Sequence, residues 1–521
     1  RADAIAERIH AHTGGNPLFV EQLGRAVGAQ DGDLPLPRSI EGAVQARLDE
    51  LAPGLREAVK RGALFGVPFT AADLAALEVE AAREDLDDLV ARGLLTASGV
   101  EGEERVYALA TPLYADVARR MLGDEARREL HRRAAERLEG RVPREEIARH
   151  LELGGRTKDA ARVYGEACLE AKRAGDLART LRAGERAVAL GLGSALDVRI
   201  AVAEVLEVRG RLGEQEALLA AAERECEGPT RARVRTDRAV ALQRLGQSGE
   251  ALPLLLKALE DAEGDAEALA RALGKHAVAL TYAGETERAA EQLRAAERLV
   301  LTRASGLRAD AAIWRGQLAS MIGDLGAARN AYWAAVELYR ELGDPRRAAE
   351  ASLNLADLYN RVGAHDAAVP ALEAGLADCR RVGASRLMEG YGLANLGYAL
   401  AKEGREAEAA RALEEATEIA EEVGESRLAI ATHVYRSRLA AARGRLDEAR
   451  AGAEAAAERA AQLCFDSLEA LARLALAEHA FAAGDAAGAL RHARRALALS
   501  DALGGMEEDG GALFRVLGDA F

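Results

Sequence analysis

The chain has 521 residues, a net charge of −15, 49% hydrophobic residues but only 4% aromatics, and 11 prolines. That length exceeds what one compact core fills, unless the molecule is an elongated stack in which each unit buries its neighbour. The acidity excludes a sequence-independent grip on nucleic acid, and no apolar run approaches a membrane span or a signal peptide. Alanine, leucine, glutamate and arginine dominate, which predicts helix. Cys168, Cys226, Cys379 and Cys464 follow no pairing rhythm. They read as small buried thiols of a reducing, cytoplasmic compartment. Arg1 opens in helix-like sequence and residues 507–521 read as the start of a further unit, so a fragment cut at both ends is expected.

Residues 1–140 come first and have their own character. The run His12-Thr13-Gly14-Gly15-Asn16-Pro17-Leu18-Phe19 is the most specific short motif, and on its own it reads as a glycine-rich turn with Pro17 opening a helix. Leu34-Pro35-Leu36-Pro37-Arg38-Ser39-Ile40 follows, leading into Val44-Gln45-Ala46-Arg47-Leu48. Then come Ala63-Leu64-Phe65-Gly66, Leu86-Asp87-Asp88-Leu89-Val90-Ala91-Arg92-Gly93-Leu94-Leu95 and Tyr107-Ala108-Leu109. This order resembles the helical lid and winged-helix region of bacterial signal-transduction ATPases of the STAND class, which are often fused to a serine/threonine kinase. The resemblance implies a lid piece over 1–37 and a winged helix over 38–122. It also implies that Gly15, Asn16 and Pro17 are the nucleotide-contact positions of an incomplete site, with the proline against adenine. Thr111 stands where that class tends to carry a phosphate-sensing histidine.

The catalytic half has no counterpart. No Gly-x-x-x-x-Gly-Lys-Ser/Thr loop and no kinase signature set occurs. No enzyme activity and no cofactor are therefore expected of the fragment, and ATP with magnesium would belong to the full-length parent. From Arg38 to Leu122 ten Lys/Arg face fifteen Asp/Glu, so a DNA-reading wing lacks its basic face. His10, His12, His131 and His150 lack metal-ligand spacing, and packing or capping roles are expected for the last two.

Over 123–245 a weak rhythm appears. Gly155, Gly175 and Gly210 precede Ala160, Thr180 and Gln215 by five residues each, which reads as degenerate helical repeats. From 246 the rhythm is strong. Ala251, Ala289, Ala328, Ala368, Ala409, Ala449 and Ala489 recur at steps of 38, 39, 40, 41, 40 and 40 residues. Each follows a glycine by five, and a second small residue stands seven further on (Ala258, Ala296, Ala335, Gly375, Ala416, Ala456, Ala496). Such a period marks a stacked array. Around Gly404 it predicts one helix over 387–402 and a second over 406–423, ended by Gly424. Ala409 and Ala416 share one face of the second, where small residues let the pair approach.

Leu396-Gly397, Gly404, Ala409, Leu413 and Ala416 resemble the tetratricopeptide repeat, as do Leu355, Tyr359, Gly363, Ala368 and Leu372, and Gly316, Gly323, Ala328, Tyr332 and Ala335. Departures are a period near 40 and the missing late proline. The resemblance implies an all-α superhelix (an α-solenoid) over 246–521, its last unit truncated, whose first helices line a concave groove. Nine residues before Gly323, Gly363, Gly404 and Gly444 stand Trp314, Asn354, Asn395 and Tyr435, and three further on Gln317, Asp357, Tyr398 and Arg438. In peptide-binding relatives an asparagine at that place holds the ligand backbone, while capping or bridging of neighbouring helices is the plainer role. The expected function is a non-catalytic regulatory segment that binds a protein or peptide in this groove. Its partner in cis is an upstream ATPase or kinase, with no nucleic acid or membrane involved. The alternatives are the sensor of a STAND-class transcription activator whose DNA-binding domain follows residue 521, and a pure assembly scaffold.

Overall fold

Good helix formers fill the chain, and the computed structural model has 26 helices and one β-hairpin among the described residues. Those residues are 38–101, 104–301, 305–503 and 510–520. The lid piece 1–37, with Gly15, Asn16 and Pro17, lies outside them. Two compact units divide between Val198 and Arg199.

In the first unit α1 (Arg38–Asp49), α2 (Pro53–Phe65), α3 (Ala71–Ala76) and α4 (Arg83–Ala91) lead to the antiparallel pair β1 (Leu95–Glu101) and β2 (Glu104–Leu109), then α5 (Pro112–Arg120). An isolated bridge joins Phe69 to Tyr107, which extends the hairpin by the segment between α2 and α3. Phe65, Phe69 and Tyr107 are buried with Leu48, Leu64 and Leu89. Asp73 closes a capping box with Thr70 at the start of α3. It is fully buried and accepts from Arg137 of α6 (Asp124–Leu138) and from Arg141. Burial works to raise this carboxyl, yet the two guanidiniums and the Thr70 amide hold it below its ordinary value. The unit continues with α7 (Arg144–Leu153), α8 (Thr157–Arg173) and α9 (Leu177–Ala189).

His131 and His150, nineteen residues apart in sequence, meet with their Nδ1 atoms 2.9 Å apart. Nε2 of His150 lies 3.0 Å from the Phe65 carbonyl, to which it donates. The His150 Nδ1 must then accept from the His131 N–H. Burial keeps both rings neutral, lowering His131 to about 3 and His150 to about 4.

In the second unit helices run in pairs. They are α10 (Leu196–Arg209) with α11 (Leu212–Glu223), α12 (Gly228–Arg244) with α13 (Ser248–Asp261), and α14 (Ala266–Tyr282) with α15 (Thr286–Val300). Next come α16 (Ser305–Met321) with α17 (Leu325–Glu341), α18 (Pro345–Arg361) with α19 (His365–Val382), and α20 (Arg386–Lys402) with α21 (Glu406–Val423). The last are α22 (Ser426–Ala442) with α23 (Leu446–Gln462), α24 (Asp466–Ala482) with α25 (Ala486–Leu503), and α26 (Gly510–Ala520). The repeat glycines turn each pair: from Gly246 to Gly484 every one has φ between 75° and 82°, left-handed backbone that an L side chain would strain. The seven alanines from Ala251 to Ala489 are buried to 1% exposure or less, so they are the joints of the array. Gly397 shows how tight a joint is. A Cβ there would come within 2.6 Å of Leu413 Cγ and 3.3 Å of the Ala409 carbonyl.

The weak units keep the same geometry. Gly175 and Gly210 are also left-handed at 74°. Thr180 and Gln215, in the place of alanine, are buried. The Thr180 hydroxyl is satisfied by the Asp176 carbonyl one turn back, at 2.7 Å. The cysteines are all unpaired, and three are buried as expected, but Cys464 is exposed in the turn after α23.

Candidate binding lumen

Successive even-numbered helices of the array touch one another directly (α12 with α14, α14 with α16, α18 with α20, α20 with α22, α22 with α24), whereas their odd-numbered partners do so to no comparable degree. The even helices therefore form the inner layer and the odd ones the outer. The curvature this imposes brings one superhelical turn onto the next along a regular seam. The turn glycines after α10, α12 and α14 meet residues 213, 217 and 219 positions later: Gly210 lies on Val423, Gly246 on Leu463 and Gly284 on Leu503. Polar contacts accompany this apolar line. Ser426 donates to the Leu245 carbonyl at 3.5 Å, and the Arg427 guanidinium lies 4.2 Å from the Tyr282 ring and 5.1 Å from that of Phe465.

The inner wall is densely charged. Arg244 donates to Glu207 at 2.8 Å, Arg347 to Asp310 at 3.0 Å, Tyr339 to Asp310 at 2.7 Å, and Tyr391 to Glu425 at 3.1 Å. Burial pushes Glu350 and Glu425 upward, although each accepts a backbone amide, from Ser385 and Leu428. Burial would raise Glu207 as well, but Arg244 and Lys275 hold it below its ordinary value. Arg271 and Lys275, one turn apart on α14, face Asp237 of α12. Burial and the neighbouring Glu207 and Glu204 raise Asp237 to about 6 against the pull of Arg271 and Lys275. The Nε of Arg271 is buried without a hydrogen-bond partner. Among the described residues no cluster of three metal-ligating side chains occurs.

The predicted groove row separates into three groups. Trp314, 3% exposed, packs its ring where a Cβ on Gly274 would stand, so it fills the joint between α14 and α16 and offers no surface to a ligand. Tyr398 and Tyr435 are buried in the same sense, their rings 5.0 Å apart, with His365 edge-on to Tyr398 at 5.6 Å. Asp357 and Arg438 are committed to ion pairs with Arg361 and Glu478, both at 3.1 Å. Gln317, Asn354 and Asn395 are half-buried, and no hydrogen bond engages their side-chain amides among the described residues. The helix-bridging asparagine is another one. Asn360 donates from Nδ2 to the Asn395 carbonyl at 3.0 Å. Thr111 accepts from the Tyr114 amide at 3.4 Å and so caps α5.

The same count of nine lands on Asp237 before Gly246 and on Lys275 before Gly284, but the predicted row began only at the unit turned by Gly323, and Arg271 and Arg427 lie off that register. For Arg271 the available signal was its spacing of four from Lys275, hidden among many exposed helix charges.

Residues 392–423 match the tetratricopeptide repeat. They fall within α20 and α21, the pair joined closely at Gly397. No curated protein matches the sequence significantly. Among solved structures, a Rap protein complexed with competence and sporulation factor is similar at 16% identity and TM-score 0.45, over 62% of this chain and 97% of that one. A STAND protein with a tetratricopeptide repeat sensor from Pyrococcus horikoshii is similar at 16% identity and TM-score 0.35, over 94% and 68%. The APC/C hetero-tetramer Cut9–Hcn1 is similar at 15% identity and TM-score 0.49, over 78% and 75%. At such identities these likenesses concern the fold alone. The array is a tetratricopeptide-repeat solenoid, and none of its described helices is long and apolar enough to cross a membrane.

Proposed function

We propose that the array is a protein-interaction scaffold whose inner lumen holds a peptide or an extended protein segment. The observation that carries this is the set of half-buried amides Gln317, Asn354 and Asn395, which lack hydrogen-bond partners among the described residues and stand beside a charged wall. A primary amide donates to and accepts from a peptide backbone at once. An unengaged row of them is suited to an incoming strand.

The wider reading places this scaffold in a cytoplasmic bacterial signalling protein. The order of helix, bridge, two helices and hairpin over 53–109 supports a winged-helix module within 38–122. Degenerate repeats over 123–245 would link it to the full repeats over 246–521. Gly15, Asn16 and Pro17 would contact the nucleotide of an upstream ATPase, and ligand capture would bias that ATPase or kinase between two states with different contacts. The segment itself carries out no catalytic step in this reading. Thr111 is occupied as a helix cap, which favours a second reading, a passive assembly scaffold without nucleotide sensing.

The test is selection from a synthetic pool of random dodecapeptides on the full chain, followed by titration of the enriched peptides. Asn354→Ala with Asn395→Ala should weaken them about tenfold or more, roughly one hydrogen bond to a buried backbone group per amide. Unchanged affinity in the double variant removes the lumen as the binding site.

A further inference from the structure

The seam decides what kind of ligand can enter. Three consecutive turn glycines are covered by Val423, Leu463 and Leu503, and Arg427 is held between Tyr282 and Phe465 beside them. Val423 is 3% exposed, packed in the core of its own units as well as against Gly210. These contacts join one superhelical turn to the next at three successive units. A ligand laid sideways onto the inner helices at this seam would have to part those contacts. What remains is entry along the axis.

We infer that the lumen takes a linear peptide with at least one free end, threaded along the superhelix axis in extended form, and rejects an internal loop of a folded protein. This rests on the proposed binding role of the lumen. The wall also sets the peptide's chemistry. Arg271 and Lys275 stand on one inner helix and Asp237 on the next, so both charge signs are offered within one stretch. A segment carrying acidic and basic side chains matches that wall, with its backbone on Gln317, Asn354 and Asn395. Length is consistent with threading: an inner helix of 17 residues is about 25 Å long, and an extended dodecapeptide reaches about 40 Å, enough to emerge from one turn.

The experiment uses the full chain and dodecapeptides enriched from the random synthetic pool, each presented in three forms. The first is free at both ends. The second has one end fused through a flexible spacer to a small folded domain, and the third has both ends fused. Threading predicts that the first two bind alike and that the doubly fused form binds at least about a hundredfold more weakly. Arg427→Ala with Val423→Asp, which removes the clasp and breaks the apolar line, should restore binding of the doubly fused form. If that variant does not fold, the comparison on the wild-type chain decides alone. Equal binding of all three forms to the wild-type chain overturns threading and leaves the lumen as a binding site. Failure of even the free peptides to bind overturns the binding role itself, and threading with it.

Discussion

Replacing Gly397 by alanine sets two known effects against each other. In an exposed helix the change stabilises by about 1 kcal/mol, because glycine loses more backbone freedom on folding. Here the new methyl would come within 2.6 and 2.7 Å of Leu413 Cγ and Cδ2, and 3.3 Å from the Ala409 carbonyl on the facing helix. Carbon atoms in contact prefer about 3.5–4.0 Å. Leu413 is fully buried, and in a close-packed interior a side chain turns aside only at a cost. Overpacking of this kind costs about 1–3 kcal/mol, so a net destabilisation of about 1 kcal/mol is expected, opposite in sign to helix propensity. Urea unfolding followed by circular dichroism measures it. Leu413→Ala, alone and combined with Gly397→Ala, completes the cycle. In the combined variant the methyl gains room, and a favourable coupling of at least about 1 kcal/mol should appear, beyond the few tenths that independent sites show. A stabilising Gly397→Ala, or additivity within about 0.5 kcal/mol, would refute the close-joint reasoning.

Three further outcomes are expected. Ala409→Leu, at a position with no exposure, should cost about 1–3 kcal/mol by overpacking the same joint, read as a lowered urea midpoint. Asp237 is raised from 3.8 to about 6, so the folded array holds a proton that the unfolded chain has lost between those values, and stability falls as pH rises through that window. Asp237→Asn should then stabilise at pH 7.5 by up to about 3 kcal/mol, reduced by solvent screening of a half-buried group, and have no effect near pH 3.5; equal gains at both pH values would contradict the assignment. His131 and His150 are lowered from 6.5 to about 3 and about 4, so the first unit should lose stability as pH falls from 6.5 toward 4. His131→Asn should flatten that slope in thermal melts, and an unaltered slope would mean another group drives the loss.

The repeat was legible in the sequence because its joints demand particular residues. Glycine takes the left-handed turn at Gly404 without the strain another side chain would bring, and a small side chain suits the fully buried place of Ala409, so the chain records both at every step. The weak units were legible as weak but are better formed than their residues suggested, because Thr180 satisfies its hydroxyl within its own helix. The row before each turn glycine was readable in register but not in orientation. Trp314 and Asn354 hold the same place before their turn glycines, yet the Trp314 ring fills the space left open by Gly274 while the Asn354 amide stays half-buried. The seam was not legible at all. Its partners stand more than 200 residues apart, as Gly210 and Val423 do, and they depend on curvature summed over every intervening pair.

That summed curvature changes how the array should come apart. A repeat protein in which each unit touches only its neighbours unfolds like a row of weakly linked segments, fraying from whichever end is weaker. Here the covers of Gly210, Gly246 and Gly284 lie at Val423, Leu463 and Leu503, so loss of the last units uncovers the first ones. The two ends should therefore melt as one transition in calorimetry, and the contacts of the seam, being the most distant in sequence, should form late in folding.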